Sequence, residues 1–319
     1  MKNIIPKIDR DLLISELEKA RFVRNTNAGG NKIYVFTAQD SPILMNEIGR
    51  LREETFRLAG GGTGKSADID HYDTDENGFH QLIVWNAEEK EIVGGYRFIH
   101  GKNVKIDKDG KAISATGKLF HLSDKFIKDF LPYTIELGRS FVQPLFQASR
   151  DQRKGLFALD NLWDGVGAVH VDYPDTLYFF GKITMYPHFN VEARNVILKF
   201  LNIYFGDKEK LVFPYEPIAF DLDYDYLKDL FVGENYDVDY KTLIREVRSR
   251  GENIPPLVNA YMNLSPSMRV FGTSLNYSFG KVEETGILVT INDIHDAKYK
   301  RYVASYMDIK TGDTGDTEV

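Results

Sequence analysis

"FHQLIVWNAEEKEIVGGYRFIH", residues 79–100, contains two apolar, β-branched and aromatic runs separated by a short charged turn. That is the signature of a hairpin. The strands it implies, 79–86 and 91–100, are antiparallel neighbours. Upstream, "KIYVFT" (32–37) reads as a further strand, and the apolar spacing of Ile43, Leu44, Ile48, Leu51 and Leu58 reads as a helix over 42–59, with Ser41 as N-cap and Pro42 in its first turn. Residues 8–23 read as an amphipathic helix. Downstream, "SDKFIKDF" is a short helix capped by Ser123, and "YTIELGRSFV" (133–142) is a strand. A helix follows over 153–171, then a buried strand over 176–185 and a helix over 191–205. The acidic, tyrosine-rich stretch 215–240 leads to a basic helix at 240–250, and two strands lie within 269–291. The order predicts an α/β layer fold around a mixed, mostly antiparallel sheet flanked by helices.

Composition narrows the class. With 43% hydrophobic and 13% aromatic residues over 319 positions, the chain can bury a full core. There is no cysteine, which excludes disulfides, thiolate metal sites and cysteine nucleophiles. The seven histidines form no i, i+4 pair, so no metal site is expected. His188, near the expected cleft, reads as a packed or surface residue. "MKNIIPKIDRDLL" is too charged for a signal peptide, and no apolar run approaches bilayer length, so a cytoplasmic protein is expected. The net charge of −7 argues against nucleic-acid binding, although "RDQRK" (150–154), "KTLIREVRSR" (241–250) and "KYKR" (298–301) are locally basic.

"LAGGGTGKSADID" (58–70) imitates a phosphate-binding loop. The pattern requires Gly, four residues, then Gly-Lys-Ser/Thr, after a strand. Here Ala59 stands at the first position, and a helix precedes it. The stretch reads instead as a mobile glycine loop leading to carboxylates.

Charges interrupt otherwise apolar strands at Arg97, Glu136 and Arg139. A charge withdrawn from water requires a partner, and Arg52, Asp70 and Asp73 are the candidates. Strict alternation would set Glu136 and Arg139 on opposite faces. Gly138 between them marks a possible bulge, which would offer backbone N–H groups to a developing oxyanion. Glu136 would accept a proton. The turn carrying Arg150, Arg153, Lys154 and Gly155 before the next helix suits a phosphate. Gln152-x-x-Gly155-x-Phe157 half matches the loop of coenzyme-A-dependent acyltransferases, with Phe157 where Gly or Ala is usual.

"LREETF" (51–56), "DIDHYD" (68–73), "VGGYRF" (93–98) and "ELGRSFV" (136–142) occur in the order and approximate spacing of two related groups. One is the N-acyl-homoserine-lactone synthases. The other is the bacterial N-acyltransferases of ornithine- and glycine-lipid synthesis, often called hemolysin-like. "ATGKLFHLSDKF" and 254–291 resemble the insert and C-terminal block of the second group, except that Asn276 stands where an Asp is usual. The resemblance, over about 40–292, implies a fold similar to the GCN5-related N-acetyltransferases (GNAT), with 1–40 as an N-terminal helix and strand, a C-terminal extension of the 41–292 domain from about 215, and 293–319 ending in a disordered tail.

The resemblance also implies an activity: transfer of a long, 3-hydroxylated acyl chain from acyl carrier protein, or from coenzyme A, to the amine of glycine or ornithine. Glu136 would be the general base, with Asp70, Arg97 and Arg139 ordering the cluster. Arg52, Phe56 and Asp73 would bind substrate, and Phe141 and Val142 would offer backbone to the pantetheine arm. Arg150, Arg153, Lys154 and Gly155 would hold its phosphate. The glycine loop would act as a lid. No cofactor is expected beyond the acyl-phosphopantetheine cosubstrate. Acyl carrier protein is the expected partner, and the lipid product suggests peripheral contact with the inner membrane. Two alternatives remain open: an autoinducer-type synthase using S-adenosylmethionine, and a non-catalytic acyl-carrier or lipid-binding module.

Overall fold

The computed structural model describes residues 1–147, 155, 157–219 and 225–312. The chain forms two compact units, each assembled from separated segments: Met1–Asn103, Ile135–Thr176 and Ile294–Val319 in the first, Val104–Thr134 and Leu177–Asp293 in the second.

The first unit is built on five strands, β1 (Arg21–Asn25), β2 (Lys32–Phe36), β3 (His80–Asn86), β4 (Glu91–His100) and β5 (Thr134–Val142). Each pairs with the next in an antiparallel ladder. The expected 79–100 hairpin is β3–β4, and every residue of β4 is buried. Gly94 and Gly95 let β4 and β5 approach closely. A Cβ on Gly94 would stand 2.3 Å from the Phe141 carbonyl oxygen.

Helix α2 (Pro42–Leu58) carries its apolar stripe inward. Ser41 occupies the N-cap but makes no capping bond; the buried Glu16 carboxylate caps the helix instead, accepting from the N–H groups of Ile43 (3.1 Å) and Leu44 (2.7 Å). Glu16 lies on α1 (Arg10–Leu17). The helix expected over 8–23 therefore ends early. Arg21–Asn25 is drawn into the sheet as β1, because pairing with β2 outweighs its local helical pattern. Helix α3 (Ala158–Asp172) packs against β3 and β4. The C-terminal segment docks on α3, where Tyr302 donates to Asp160 at 2.6 Å.

The second unit holds β6 (Tyr178–Met185), β7 (Arg269–Asn276) and β8 (Val282–Thr290), with β8 between the other two and all pairings antiparallel. Helix α4 (Val191–Phe205) is capped by Asn190, and it packs against α5 (Tyr236–Ser249), capped by Asn235. The latter begins four residues before the expected basic helix. Ser123 caps the short helical turn after it, its Oγ accepting from Phe126 N–H at 3.1 Å. Of the expected disordered tail, 311–319, Thr311 instead ends a helix that starts at Ser305, and the residues from 313 onward lie outside the described residues.

Candidate active site

Five of the six charged residues singled out in the sequence meet directly in the first unit. Arg52 reaches from the inner face of α2 and pairs with Asp73 at 3.2 Å. Gln81 of β3 joins them, accepting from Arg52 at 2.5 Å and donating to Asp73 at 3.0 Å. Arg97 of β4 pairs with Asp73 at 3.1 Å and with Asp70 at 2.8 Å. Its guanidinium also lies 4.9 Å from the centroid of the Phe79 ring. Arg139 of β5 grips Asp68 at two points, 2.7 Å from Nε and 3.1 Å from Nη2, and comes within 3.7 Å of Asp70. Arg52, Arg97, Asp68, Asp73 and Glu136 are all at most 1% exposed.

The acidic segment is held by its own backbone. Asp70 and Asp73 form a capping box on the one-turn helix His71–Thr74, with Asp70 N–H donating to the Asp73 carboxylate at 3.1 Å. Asp68 N–H donates to the Gly49 carbonyl at 2.8 Å. Gly49 is required there, since a Cβ would meet Ile69 Cγ1 at 2.6 Å.

Glu136 belongs to the same face. It pairs across the ladder with Ile99, and Gly138, two residues on, pairs with Arg97. Cross-strand partners share a face, so Glu136 and Arg97 point the same way. Its charge is felt by Tyr72, whose hydroxyl burial, and then Glu136 and Asp70, hold above its ordinary pKa. Strict alternation would have sent Arg139 to the opposite side. A bulge corrects it. Between the Gly95–Phe141 and Arg97–Gly138 pairs, β5 has two residues, Arg139 and Ser140, against the single Tyr96 of β4. The expected bulge is present, but the left-handed residue is Arg139, with φ 51°, not Gly138. That turn swings the guanidinium back to Asp68 and Asp70.

The electrostatics follow from crowding. Burial alone would raise the Asp73 carboxyl, but Arg97 and Arg52 overcome it and hold it well below the usual carboxylate range. Burial opposes the charge on Arg97 as well, and Asp73 and Asp70 outweigh it. Asp68, Asp70 and Asp73 face Arg52, Arg97 and Arg139, and Glu136 is buried on the same face as Arg97. The three aspartates are engaged with guanidinium groups. Among the described residues no group of three His, Asp or Glu side chains is arranged to hold a metal ion.

The glycine loop is not the untethered segment its composition suggests. Glu53, next to Arg52 on α2 and buried, accepts from Thr63 N–H (3.0 Å), Thr63 Oγ1 (2.6 Å) and Gly64 N–H (2.7 Å). Arg57 binds the Lys2 carbonyl at 2.8 Å and the Lys65 carbonyl. The backbone donors that a phosphate would need are taken by a carboxylate, which disposes of the P-loop resemblance on structural grounds. Phe56 is buried on α2, and Phe141 and Val142 pair with Gly95 and Gly94. Gly155 is helical, while Arg150, Arg153 and Lys154 lie outside the described residues. His188 is exposed in the second unit, stacked on Tyr186. Sequence reasoning missed Asp68, Tyr72, Gln81 and Glu53. Asp68 stood within the quoted "DIDHYD", two residues before Asp70, and that spacing was its one visible signal.

Residues 51–153, which carry β4, β5 and the buried charged cluster, match the acetyltransferase (GNAT) domain family. The chain is 53% identical over 96% of its length, and 94% of the other, to a protein of Phocaeicola vulgatus named glycine N(alpha)-acyltransferase. It is 52% identical over 97% of its length, and 91% of the other, to a protein of Bacteroides thetaiotaomicron with the same name. The chain belongs to their family, the N-acyltransferases that the sequence motifs resemble. A solved CoA-dependent acyl-homoserine lactone synthase, with S-adenosylmethionine and isopentyl-CoA, is similar at 17% identity and a TM-score of 0.30, over 49% of this chain and 68% of that one. No described helix is long and apolar enough to cross a membrane.

Proposed function

We propose that this protein transfers a long acyl chain, 3-hydroxylated, from the phosphopantetheine thioester of acyl carrier protein to the α-amine of glycine, as a step in aminolipid synthesis. The observation that carries the acceptor is the identity of 53% along 96% of the chain to a glycine N(alpha)-acyltransferase. The placement of Glu136 supports the chemistry. Glycine arrives as an ammonium ion, and Glu136 is a buried carboxylate on the same strand face as Arg97, within the charged cluster. Glu136, directly or through water, takes one proton and frees the nitrogen lone pair. The amine attacks the thioester carbonyl, the C–N bond forms, and the oxygen gains negative charge that backbone N–H groups at the β5 bulge are suited to hold. The intermediate collapses, the C–S bond breaks, and the second proton lost by the attacking nitrogen passes to the leaving thiolate, so that the carrier departs as a free thiol and the proton on Glu136 returns to water.

Asp70, Arg97 and Arg139 order this centre, and Arg52, Asp73 and Phe56 support the wall against which substrate lies. Phe141 and Val142 would meet the pantetheine arm, and Arg150, Arg153, Lys154 and Gly155 its phosphate. The product is an amphiphile, and delivery to the inner membrane face from the cytoplasm fits it.

The test is thiol release from 3-hydroxyacyl carrier protein and from 3-hydroxyacyl-CoA, with glycine, ornithine or S-adenosylmethionine as acceptor. Glycine-dependent release with the carrier protein, reduced at least a hundredfold in Glu136→Gln, is expected. Release with S-adenosylmethionine alone would replace the proposal with an autoinducer-type synthase. Tight carrier binding without release on any amine would make the protein a binding module and Glu136 a structural residue.

A further inference from the structure

The left-handed backbone at Arg139 is unaccounted for by its local sequence. Gly138 stands beside it and would take a positive φ freely, yet Arg139 is the residue at 51°. A side chain in this region strains the chain, and a two-point contact with Asp68 reaches this one from outside its strand. Asp68 is fully buried, tied through its own N–H to the Gly49 carbonyl, and its segment lies flush on α2 where only glycine leaves room for Ile69. The chain of constraint runs from α2 to Asp68, from Asp68 to the Arg139 guanidinium, and from that side chain to its own backbone, 71 residues away in sequence.

We propose that Asp68 is a positioning residue for acyl transfer. Its ion pair with Arg139 holds the backbone of residue 139 in the left-handed bulge, and that backbone geometry, not the guanidinium charge, is what the reaction uses. The inference rests on the acyl-transfer reading above. It assigns the two halves of the cluster different work: Asp73 neutralises Arg52 and Arg97, while Asp68 sets the direction of the Arg139–Ser140 backbone beside Glu136.

The experiment compares two double variants, Asp68→Asn with Arg139→Gly and Asp68→Asn with Arg139→Ala. Both lack the ion pair and the guanidinium. They differ only in how readily residue 139 takes a positive φ. The Gly variant is expected to keep a kcat about tenfold above the Ala variant, equivalent to about 1.4 kcal/mol, with KM for glycine and for the acyl carrier protein the same in both. It is also expected to melt at the higher temperature. Equal kcat values, or a difference confined to KM, would overturn the assignment and return the role to the guanidinium. A wild-type protein that releases no thiol would refute the acyl-transfer reading itself. The order of melting would still decide whether residue 139 occupies a strained left-handed turn, and an Ala variant as stable as the Gly variant would refute that.

Discussion

Replacing Asp73 by Asn isolates what a single buried carboxylate does for this fold. Asn keeps the volume and one acceptor oxygen but removes the charge that two buried guanidiniums share, at 3.2 Å from Arg52 and 3.1 Å from Arg97. Breaking a buried pair by removing one partner costs about 3–5 kcal/mol, because the other charge is left uncompensated. Arg52 loses its paired carboxylate while Arg97 keeps Asp70 at 2.8 Å, so the lower half of that range is expected at pH 7. The pH dependence has a definite sign. The Asp73 carboxyl is depressed in the folded state, against about 3.9 when unfolded. Its contribution is therefore complete above about pH 5. It fades as the pH falls below about 4 toward the folded value. Urea unfolding followed by tryptophan fluorescence is a suitable assay, since the protein's two tryptophans, Trp85 and Trp163, both lie buried in the first unit. The gap between wild type and variant should stay flat from pH 8 to 5 and narrow below 4. A loss under about 1 kcal/mol at pH 7, or a gap that closes between pH 7 and 5, would refute the view that Asp73 anchors the cluster as a carboxylate.

Glu53→Ala strands the loop donors of Thr63 and Gly64, at about 1–3 kcal/mol for a buried group left unsatisfied, and limited trypsin digestion should then cut at Lys65 far faster than in wild type. Glu53 is held below its ordinary pKa, its burial outweighed by Thr63 and Arg57, so the wild-type protection is expected to persist above about pH 5 and to weaken as the pH drops below about 4. Gly94→Ala forces a methyl group against the Phe141 carbonyl, a backbone atom that cannot rotate away. Overpacking of about 1–3 kcal/mol is expected, measured as a lower urea midpoint, together with a loss of turnover because β4 and β5 carry the charged cluster.

Where local chemistry decided the structure, the sequence could be read closely. Helix α4 runs over the residues its apolar spacing indicates because Asn190 caps it and no distant strand competes for it. The β3–β4 hairpin needed only its turn and its two apolar runs. The segment 21–25 was misread because its fate depends on β2, whose edge offers hydrogen bonds that no local pattern reveals. The acidic segment shows the same division. Buried charge on a strand demands a partner, which is why Arg97 and Arg139 pointed to the aspartates. Which aspartate serves which arginine was invisible, because it depends on how α2 meets the loop at Gly49.

The bulge on β5 is the clearest case. A glycine within a strand suggested where the ladder would break, yet parity along a regular strand put Glu136 and Arg139 on opposite faces. Both inferences came from local rules, and they conflict if the site is to form. One extra residue resolves the conflict by shifting the parity between Gly138 and Phe141. The energetic cost of the left-handed turn falls on Arg139 because only that residue has a side chain long enough to reach Asp68 and be held there. A glycine at 139 would take the turn more easily but would leave Asp68 buried without its cation. The strain is therefore smaller than the cost of an unpaired buried carboxylate, which is of the order of 3–5 kcal/mol. An arginine in a left-handed conformation is the lower-energy choice once Asp68 is in place.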